Sequence, residues 1–338
     1  EVIRVIGYHT LPAHAPLAPI VAKVRSESSR SPHAMRHRMA GLDYIETINF
    51  SFVEERWERE LAGNPDPIRV LNPIAAPLAV MRTSLMGSLV QVLRSNLARR
   101  APRVRVFEVG RVFRRDAAIL STLSSVAGID QPLRVAGLAW GPVDELQWGA
   151  TDRAADFFDI KGDVQALLAP RQATYTPAEH PALHPGRCAA VVVDGRPIGH
   201  VGELHPKWKQ AYDLPSAPVL FELDLAALQA RPVPTAQSVS RFQSARRDVA
   251  LVVDGRVLHD ALVAALEADP SGLVRSATLF DVYRPRPEAT DFRPGERSLA
   301  VRLELLDDDA TLTDDRIDEA VAAAVQRAGA ACGARLRA

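Results

Sequence analysis

Two histidines and a cysteine follow one another at intervals of four residues, a spacing that can align metal ligands on a helix. They are His180, His184 and Cys188, and His205 follows further along the chain. Imidazole and thiolate are ligands that zinc prefers. However, Pro181 and Pro185 directly follow the two histidines, and proline interrupts a regular helix. We therefore favour a turn-rich structural segment over a zinc site.

A carboxylate with possible binding chemistry lies near residue 280. Asp281 and Tyr283 alternate with Phe280 and Val282, and side chains of a strand alternate between its two faces. One pair should therefore face the core while the other faces out, with Asp281 as the candidate for chemistry. A carboxylate such as that of Asp281 can accept hydrogen bonds from both donors on a guanine edge. The alternative roles for Asp281 are to cap a backbone N–H group or to form a salt bridge with Arg284.

Basic residues after residue 240 are all arginines, which stack on bases and bind phosphates better than lysine does. Six of them lie in or beside predicted strand ends, whereas acidic residues cluster at 307–309 and 314–315. The six are Arg246, Arg247, Arg284, Arg286, Arg293 and Arg297. This asymmetry predicts a local basic rim, and the alternative is a set of solvated, salt-bridged arginines.

The last hundred residues show the order of elements of a split βαβ unit. The predicted elements are strand 247–253, helix 258–268, strand 273–283, strand 298–305, helix 314–328 and a short end at 334–336. Thr313, ahead of Asp314 and Asp315, is a plausible N-cap for the final helix. A segment rich in Pro, Thr, Ser and Gln at 229–240 predicts a linker before this unit.

The preceding region predicts a mixed, mainly antiparallel domain. Apolar residues at Leu85, Leu89 and Leu93 have the spacing of a buried helix face within 81–97. The patterns also predict a helix at 31–39, strands at 44–53 and 104–114, a helix at 163–168, a hairpin of 189–193 and 197–202 around Asp194-Gly195, and a strand at 219–223. The fold class is therefore α+β.

Composition bounds the class of protein. The chain has 338 residues, 47% hydrophobic and 24% charged, with a formal net charge of zero. No apolar run approaches the roughly 20 residues that a bilayer span needs, and two cysteines are too few for a disulfide framework. We expect a cytoplasmic protein with neither membrane nor DNA as a partner. The first residues resemble neither a signal peptide nor a natural start, so we expect the chain to begin inside a longer protein.

Several segments resemble the beta subunit of bacterial phenylalanyl-tRNA synthetase across essentially the whole chain. They are residues 71–74, 80–85, 107–113, 157–163, 180–187, 202–206, 247–250 and 280–283, including Phe107-Glu108-Val109-Gly110-Arg111 and Phe280-Asp281-Val282-Tyr283. The resemblance implies the tail of an upstream magnesium-binding domain at 1–12. It further implies a catalytically inactive class II synthetase-like antiparallel sheet domain at 13–232 and a ferredoxin-like βαββαβ anticodon-binding domain at 238–338.

The resemblance also implies roles for particular residues. It assigns Asp281 and Ser298 to reading the first anticodon base, a guanine, with Ala250 as a small surface beside it. Tyr283, Arg247 and Arg284 complete the predicted anticodon-binding set. Glu1 matches the last of several carboxylates that bind Mg²⁺ in the family, and we expect it to be an empty, solvated position here.

Catalysis by this chain alone is not expected. A class II synthetase needs a motif 2 arginine and a glycine-rich strand with an arginine for the ATP phosphates. Gly110–Asp116 resembles motif 2, with Arg114 as its arginine, but the glycine-rich strand is replaced by Val219–Leu225, where Glu222 and Asp224 repel phosphate. We expect Arg82, Arg111 and Arg114 to pair with acids such as Glu108 and Asp159 instead.

These observations favour a non-catalytic part of an ATP-dependent ligase. The resemblance implies two alpha and two beta chains, ATP use at the alpha subunit, and phenylalanine tRNA as the RNA partner. The two alternatives are a self-sufficient class II-like adenylating enzyme and a regulatory domain that binds an amino acid. The missing glycine-rich arginine strand disfavours the first. The second lacks a glycine-rich ligand turn between strand and helix.

Overall fold

Separate apolar cores are buried by two stretches of the chain, Glu1–Val233 and Pro234–Ala338. The computed structural model describes residues 1–14, 17, 19, 26–236, 238–285 and 291–337. Arg286, one arginine of the predicted rim, lies outside the described residues.

The first unit contains helices and strands in mixed order. Its helices are α1 (Val2–Ile6), α2 (Pro32–Gly41), α3 (Glu55–Glu60), α4 (Met86–Ala98), α5 (Phe157–Leu168), α6 (Pro206–Ala211) and α7 (Leu225–Gln229). Its strands are β1 (Ile45–Glu46), β2 (Phe52–Val53), β3 (Val80–Met81), β4 (Val104–Arg111), β5 (Arg114–Arg115), β6 (Ile129–Asp130), β7 (Leu133–Trp140), β8 (Thr174–Pro177), β9 (Leu183–Val193), β10 (Arg196–Leu204) and β11 (Val219–Asp224).

One large sheet organises this unit. Across the described residues its strand order is β1-β4-β7-β11-β10-β9-β8. Only the β1–β4 pair is parallel among these neighbours. The prediction of a mainly antiparallel domain is therefore confirmed.

Both faces of this sheet are buried. On one face Phe107 and Phe221 pack with Met39 of α2 and Ile160 of α5. On the other face, Val106, Leu138 and Leu220 pack with Leu89 and Leu93 of α4 and with Trp208 of α6. Neighbouring residues such as Val106 and Phe107 thus point into opposite layers, as alternation in a strand requires.

Local signals located several elements correctly. Ser31 caps α2 by accepting a hydrogen bond from the Ala34 amide, and the β9–β10 hairpin turns at Asp194-Gly195, where both φ angles are positive (50° and 75°). Positive φ at both central positions is typical of a tight hairpin turn. The prediction of one strand over 44–53 was wrong, since the segment forms the separate strands β1 and β2.

The second unit has the predicted split βαβ order. Its elements are β12 (Ala245–Asp254), α8 (His259–Glu267), β13 (Val274–Tyr283), β14 (Glu296–Leu305), α9 (Asp314–Cys332) and β15 (Arg335–Leu336). In the described part of this unit the sheet order is β13-β14-β12-β15, with antiparallel neighbours.

Apolar side chains fix which face of this sheet carries the helices. Leu251 of β12 and Val301 of β14 pack with Leu262 of α8 and Ala324 of α9. The predicted cap of α9 is also confirmed, because the Thr313 hydroxyl accepts from the Arg316 amide at 3.5 Å. The opposite side, which we call the helix-free face, carries the alternate residues of β12 and β14. They are Arg246, Asp248, Ala250 and Val252, and Ser298, Ala300, Arg302 and Glu304.

Candidate nucleic-acid interface

Strand register places the predicted binding residues in two adjacent rows of the helix-free face. The first row contains Asp281, Ala300 and Ala250, and the second contains Tyr283, Ser298, Val252 and Arg335. Directly opposite residues of paired strands lie on the same side of a sheet. The structure therefore brings together Asp281, Ala250, Tyr283 and Ser298, four of the six predicted anticodon-binding residues.

Asp281 lies open to solvent in the first row. One of its carboxylate oxygens accepts a hydrogen bond from the Val282 amide at 2.9 Å, as the alternative of a backbone N–H cap anticipates. Asp281 forms no ion pair with any described residue. Its remaining acceptor sites are available to a ligand, and the small side chains of Ala300 and Ala250 leave room beside it.

Ser298 is in a different environment. Its side chain is 2% exposed, although it faces away from α8 and α9, and the neighbouring Val252 is 1% exposed. Tyr283 lies directly across from it on β13. A base therefore reaches the Ser298 hydroxyl only if the groups around this row move.

Phe280 lies on the helix-free face and Val282 is 42% exposed, so the prediction that one of the two alternating pairs faces the core was wrong. A β-bulge interrupts the register between Leu279 and Asp281, and a bulge places two residues opposite one. Phe280 is 53% exposed, and the Arg302 guanidinium lies 5.2 Å from its ring centre. Phe280 thus adds an aromatic surface that alternation alone did not identify.

Phe292 and Arg337 are further residues of this face that were not predicted. The Arg337 guanidinium lies 4.5 Å from the Tyr283 ring centre and 5.5 Å from that of Phe292. The two rings are 5.7 Å apart. One signal could have indicated this role, because Arg337 directly follows β15 and lies two residues after Arg335, so in an extended chain the two share a side of the sheet.

Three of the six arginines of the predicted basic rim bind acceptors. Arg246 lies 3.7 Å from Glu304, and Arg247 lies 3.1 Å from Asp314 at the start of α9. Arg247 is opposite Leu303 in the register, which places it on the helix side, apart from Asp281. Arg297 donates to the Val257 carbonyl, while Arg284 is exposed directly after β13. Arg246 and Arg247 therefore fit the alternative to a basic rim, in which the arginines are salt-bridged.

An exposed ion pair borders the Asp281 row. Arg302 donates from two nitrogens to the two oxygens of Asp248, each at 2.8 Å. These hydrogen bonds hold the pKa of Asp248 below its ordinary value. Two-point geometry of this kind orients the guanidinium, and here its plane is held near Phe280.

In the first unit, the motif 2-like arginine lines a polar cavity of about 440 Å³. Glu222, His180, Thr83 and Ser84 line the same cavity. Glu222 is 8% exposed and accepts from the Ser84 hydroxyl and the Leu85 amide, both at 2.7 Å. Asp224, by contrast, caps α7. A buried carboxylate beside Arg114 disfavours a phosphate.

Arg82 is part of a buried ion pair beneath this region. Its Nη2 lies 2.7 Å from Glu108 Oε1, as predicted, and its Nε donates to the Arg111 carbonyl. The predicted pairing of Arg111 and Arg114 with acids was wrong, and among the described residues Arg114 forms no ion pair. Arg111 donates to the Gln131 carbonyl, and Asp159 binds Arg153 at 2.7 Å.

The histidines of the candidate zinc set take part in turns. The Nδ1 atoms of His180, His184 and His205 each accept a hydrogen bond from the amide two residues ahead, at 3.2, 2.9 and 3.0 Å. A proline follows each histidine and has no amide hydrogen, so the first available donor is at the second position. His184 and Cys188 nevertheless belong to strand β9, so the run is not a helix, but the prediction of a turn-rich segment was wrong beyond Ala182. Burial lowers the pKa of His180 to about 4.

Glu1 lies at the start of α1 and pairs with Arg4 at 2.5 Å. A magnesium site needs several oxygen ligands, and within the described residues no group of three His, Cys, Asp or Glu side chains could hold a metal. Glu1 alone does not make up such a site. None of the described helices is long and apolar enough to cross a bilayer.

Comparisons with known proteins agree with the predicted family. Residues 11–225 match the phenylalanyl tRNA synthetase beta chain CLM domain, and residues 240–337 match the ferredoxin-fold anticodon binding domain. Phenylalanine–tRNA ligase beta subunits from Burkholderia pseudomallei and Chromobacterium violaceum are each 49% identical to the chain, and that of Bordetella bronchiseptica is 44% identical.

These alignments cover all of this chain but only 42%, 41% and 43% of the respective relatives. The chain thus spans less than half the length of the curated relatives that it matches. The CLM match alone covers most of the chain. The chain therefore belongs to the family of phenylalanyl-tRNA synthetase beta chains.

Proposed function

We propose that the second unit binds the anticodon of phenylalanine tRNA on the helix-free face of its sheet. The observation that carries this proposal is the solvent-open Asp281 carboxylate, which lies in one row with Ala300 and Ala250 and next to exposed aromatic rings. RNA sequence is read mainly on unpaired bases, which stack on aromatic or guanidinium planes and are hydrogen-bonded on their edges. This face offers both kinds of group.

Asp281 is the residue that selects the base. A carboxylate only accepts hydrogen bonds, so it matches the two adjacent donors on the Watson–Crick edge of guanine. Adenine presents an acceptor at the equivalent ring nitrogen and repels the carboxylate. The first anticodon base of phenylalanine tRNA, a guanine, is therefore the proposed ligand of Asp281, with Ala250 beside it and Ser298 as a second contact.

The first unit has a supporting role in this proposal. The chain acts in the cytoplasm as a non-catalytic part of phenylalanine–tRNA ligase, in an assembly of two alpha and two beta chains. The assembled enzyme uses ATP at the alpha subunit, and Mg²⁺ is bound in the intact beta subunit. Glu222 beside Arg114 supports this division of roles, because a buried carboxylate opposes the binding of a triphosphate.

Binding of an anticodon stem-loop to the full 338-residue chain tests the proposal. Asp281→Ala should weaken binding by about 1 to 3 kcal/mol, the scale of one good base contact. Asp318→Ala is the matched control. It also removes an exposed aspartate, but Asp318 lies on α9, away from the helix-free face. Equal affinity of the Asp281 variant and the parent chain would remove the assigned role.

A further inference from the structure

Two adjacent rows of the helix-free face differ sharply in exposure. Asp281 is exposed and Ala250 is half-buried, whereas Ser298 and Val252 in the next row are 2% and 1% exposed. Within the part of the unit that the structure describes, the helices α8 and α9 both lie on the opposite side. Another part of the unit must therefore cover the Ser298 row.

The segment from Asp291 to Glu296 supplies the contacts for such a cover. The ring of Phe292 lies 5.7 Å from that of Tyr283, the residue directly opposite Ser298. Arg337 contacts both rings, at 4.5 Å from the centre of Tyr283 and 5.5 Å from that of Phe292. Phe292 is thus held against Tyr283, at the β13 end of this row, by one aromatic and one cation–π contact.

Arg335, in the same row as Ser298, fastens the backbone of this segment. Its Nη2 donates to the Asp291 carbonyl at 2.7 Å and to Glu296 Oε2 at 2.8 Å. The same Glu296 oxygen accepts from the Arg293 amide at 2.8 Å. These contacts keep the pKa of Glu296 below its ordinary value, so the carboxylate stays charged and the fastening persists at neutral pH.

The Phe292 ring packs against Tyr283 at an interplanar angle of 47° and lies next to Arg337, and aromatic and guanidinium groups are the partners with which proteins hold an unpaired base. We propose that Phe292 occupies a base-stacking position on Tyr283 and Arg337, and that RNA displaces it before a base reaches Ser298. This inference rests on the proposed function for its RNA ligand. The cover itself is a property of the protein alone and is testable without RNA.

Thiol labelling measures the cover directly. In the full chain carrying S298C, alkylation of the introduced thiol is followed by mass spectrometry of its peptide, which separates it from the native Cys188 and Cys332. Adding F292A should accelerate labelling by about tenfold, because an aromatic pair and a cation–π contact are lost. Equal rates with and without F292A overturn the cover.

RNA binding measures the displacement. F292A in the otherwise native chain should bind an anticodon stem-loop about three- to tenfold more tightly, since RNA no longer competes with the ring. F280A is the matched control, because it removes an exposed ring of the same face that contacts Arg302, and it should bind equally or more weakly.

The outcomes separate this inference from the proposed function. If the native chain binds RNA and F292A binds equally or more weakly, displacement is wrong while anticodon binding stands. If neither chain binds the stem-loop, both displacement and the proposed function fail. The labelling rates then still decide whether Phe292 covers Ser298.

Discussion

Arg82 in the first unit and Arg302 in the second each hold a carboxylate at hydrogen-bonding distance, but their surroundings are opposite. Arg82 lies 2.7 Å from Glu108, and the two side chains are 2% and 4% exposed. Arg302 lies 2.8 Å from Asp248, with side chains 48% and 46% exposed. The same chemical pair is therefore part of the core in one unit and part of a wet surface in the other.

The difference shows how burial decides what charged residues can do. Around the Arg114 cavity, Glu58 accepts from the Thr83 amide and hydroxyl, and Glu222 accepts from Ser84 and Leu85. Polar groups that form such internal hydrogen bonds stabilise the fold and are not available to a substrate. On the helix-free face of the second unit, Asp281 and Phe280 remain open to a partner.

Breaking the buried pair should have the largest effect. We expect Arg82→Met to lower the free energy of unfolding of the first unit by about 3 to 5 kcal/mol, because it leaves Glu108 buried without its cation. Tryptophan fluorescence during urea unfolding measures this, since all four tryptophans of the chain lie in the first unit. Arg302→Met serves as the control, and an equally large loss in the transition of the second unit, followed by circular dichroism, would contradict the contrast.

Acid should weaken the first unit through His180. Its folded-state pKa is about 4 because of burial first and the nearby His200 second, whereas a free histidine titrates near 6.5. The unfolded chain therefore binds the proton more readily between these values, so this contribution is complete above about pH 6.5 and is lost as pH falls toward 4. Between pH 7 and 5 the loss should be about 1 to 2 kcal/mol.

His180→Asn separates this titration from the turn. Asparagine can accept the Ala182 amide as the histidine does, but it does not titrate. Urea unfolding of both chains at pH 7 and pH 5 should show a smaller loss for the variant. If both chains lose the same stability, His180 does not titrate as its burial implies.

The smallest effect should come from the exposed pair. Arg302→Met should leave the unfolding midpoint nearly unchanged, because exposed ion pairs contribute little. It should reduce the slope of log affinity for the stem-loop against log salt concentration by about 0.7, the value for one lost phosphate contact on a single strand. An unchanged slope would show that Arg302 makes no phosphate contact and serves only to orient its own neighbours.

Elements with a local signature were predictable from sequence. The apolar face of α4 and its N-cap has Leu85, Leu89 and Leu93 at helical spacing. The start of α9 is marked by Thr313 and by the acidic residues that follow it. The central strand β7 (Leu133–Trp140) was missed. It is covered on both faces, so it reads as a continuous apolar run without alternation, and the ring of Phe221 packs where a side chain at Gly137 would stand.

The site was predictable only in part. The family resemblance predicted that Asp281, Ala250 and Ser298 belong to the site, and strand pairing places these residues together. The bulge that turns Phe280 outward cannot be recognised from the alternation of apolar and polar residues along the strand. The contacts of Phe292 with Tyr283 and of Arg335 with the Asp291 carbonyl, which underlie the proposed cover of Ser298, form only in the folded unit.

Base discrimination by the full chain tests anticodon reading most directly. Two stem-loops are compared at the same moderate salt concentration, one with guanine and one with adenine as the first anticodon base. We expect the guanine loop to bind more tightly by about 1 to 3 kcal/mol, and Asp281→Ala to abolish most of that difference. Equal affinity for the two loops, or a preference that survives in the Asp281 variant, would contradict reading of the first anticodon base by Asp281.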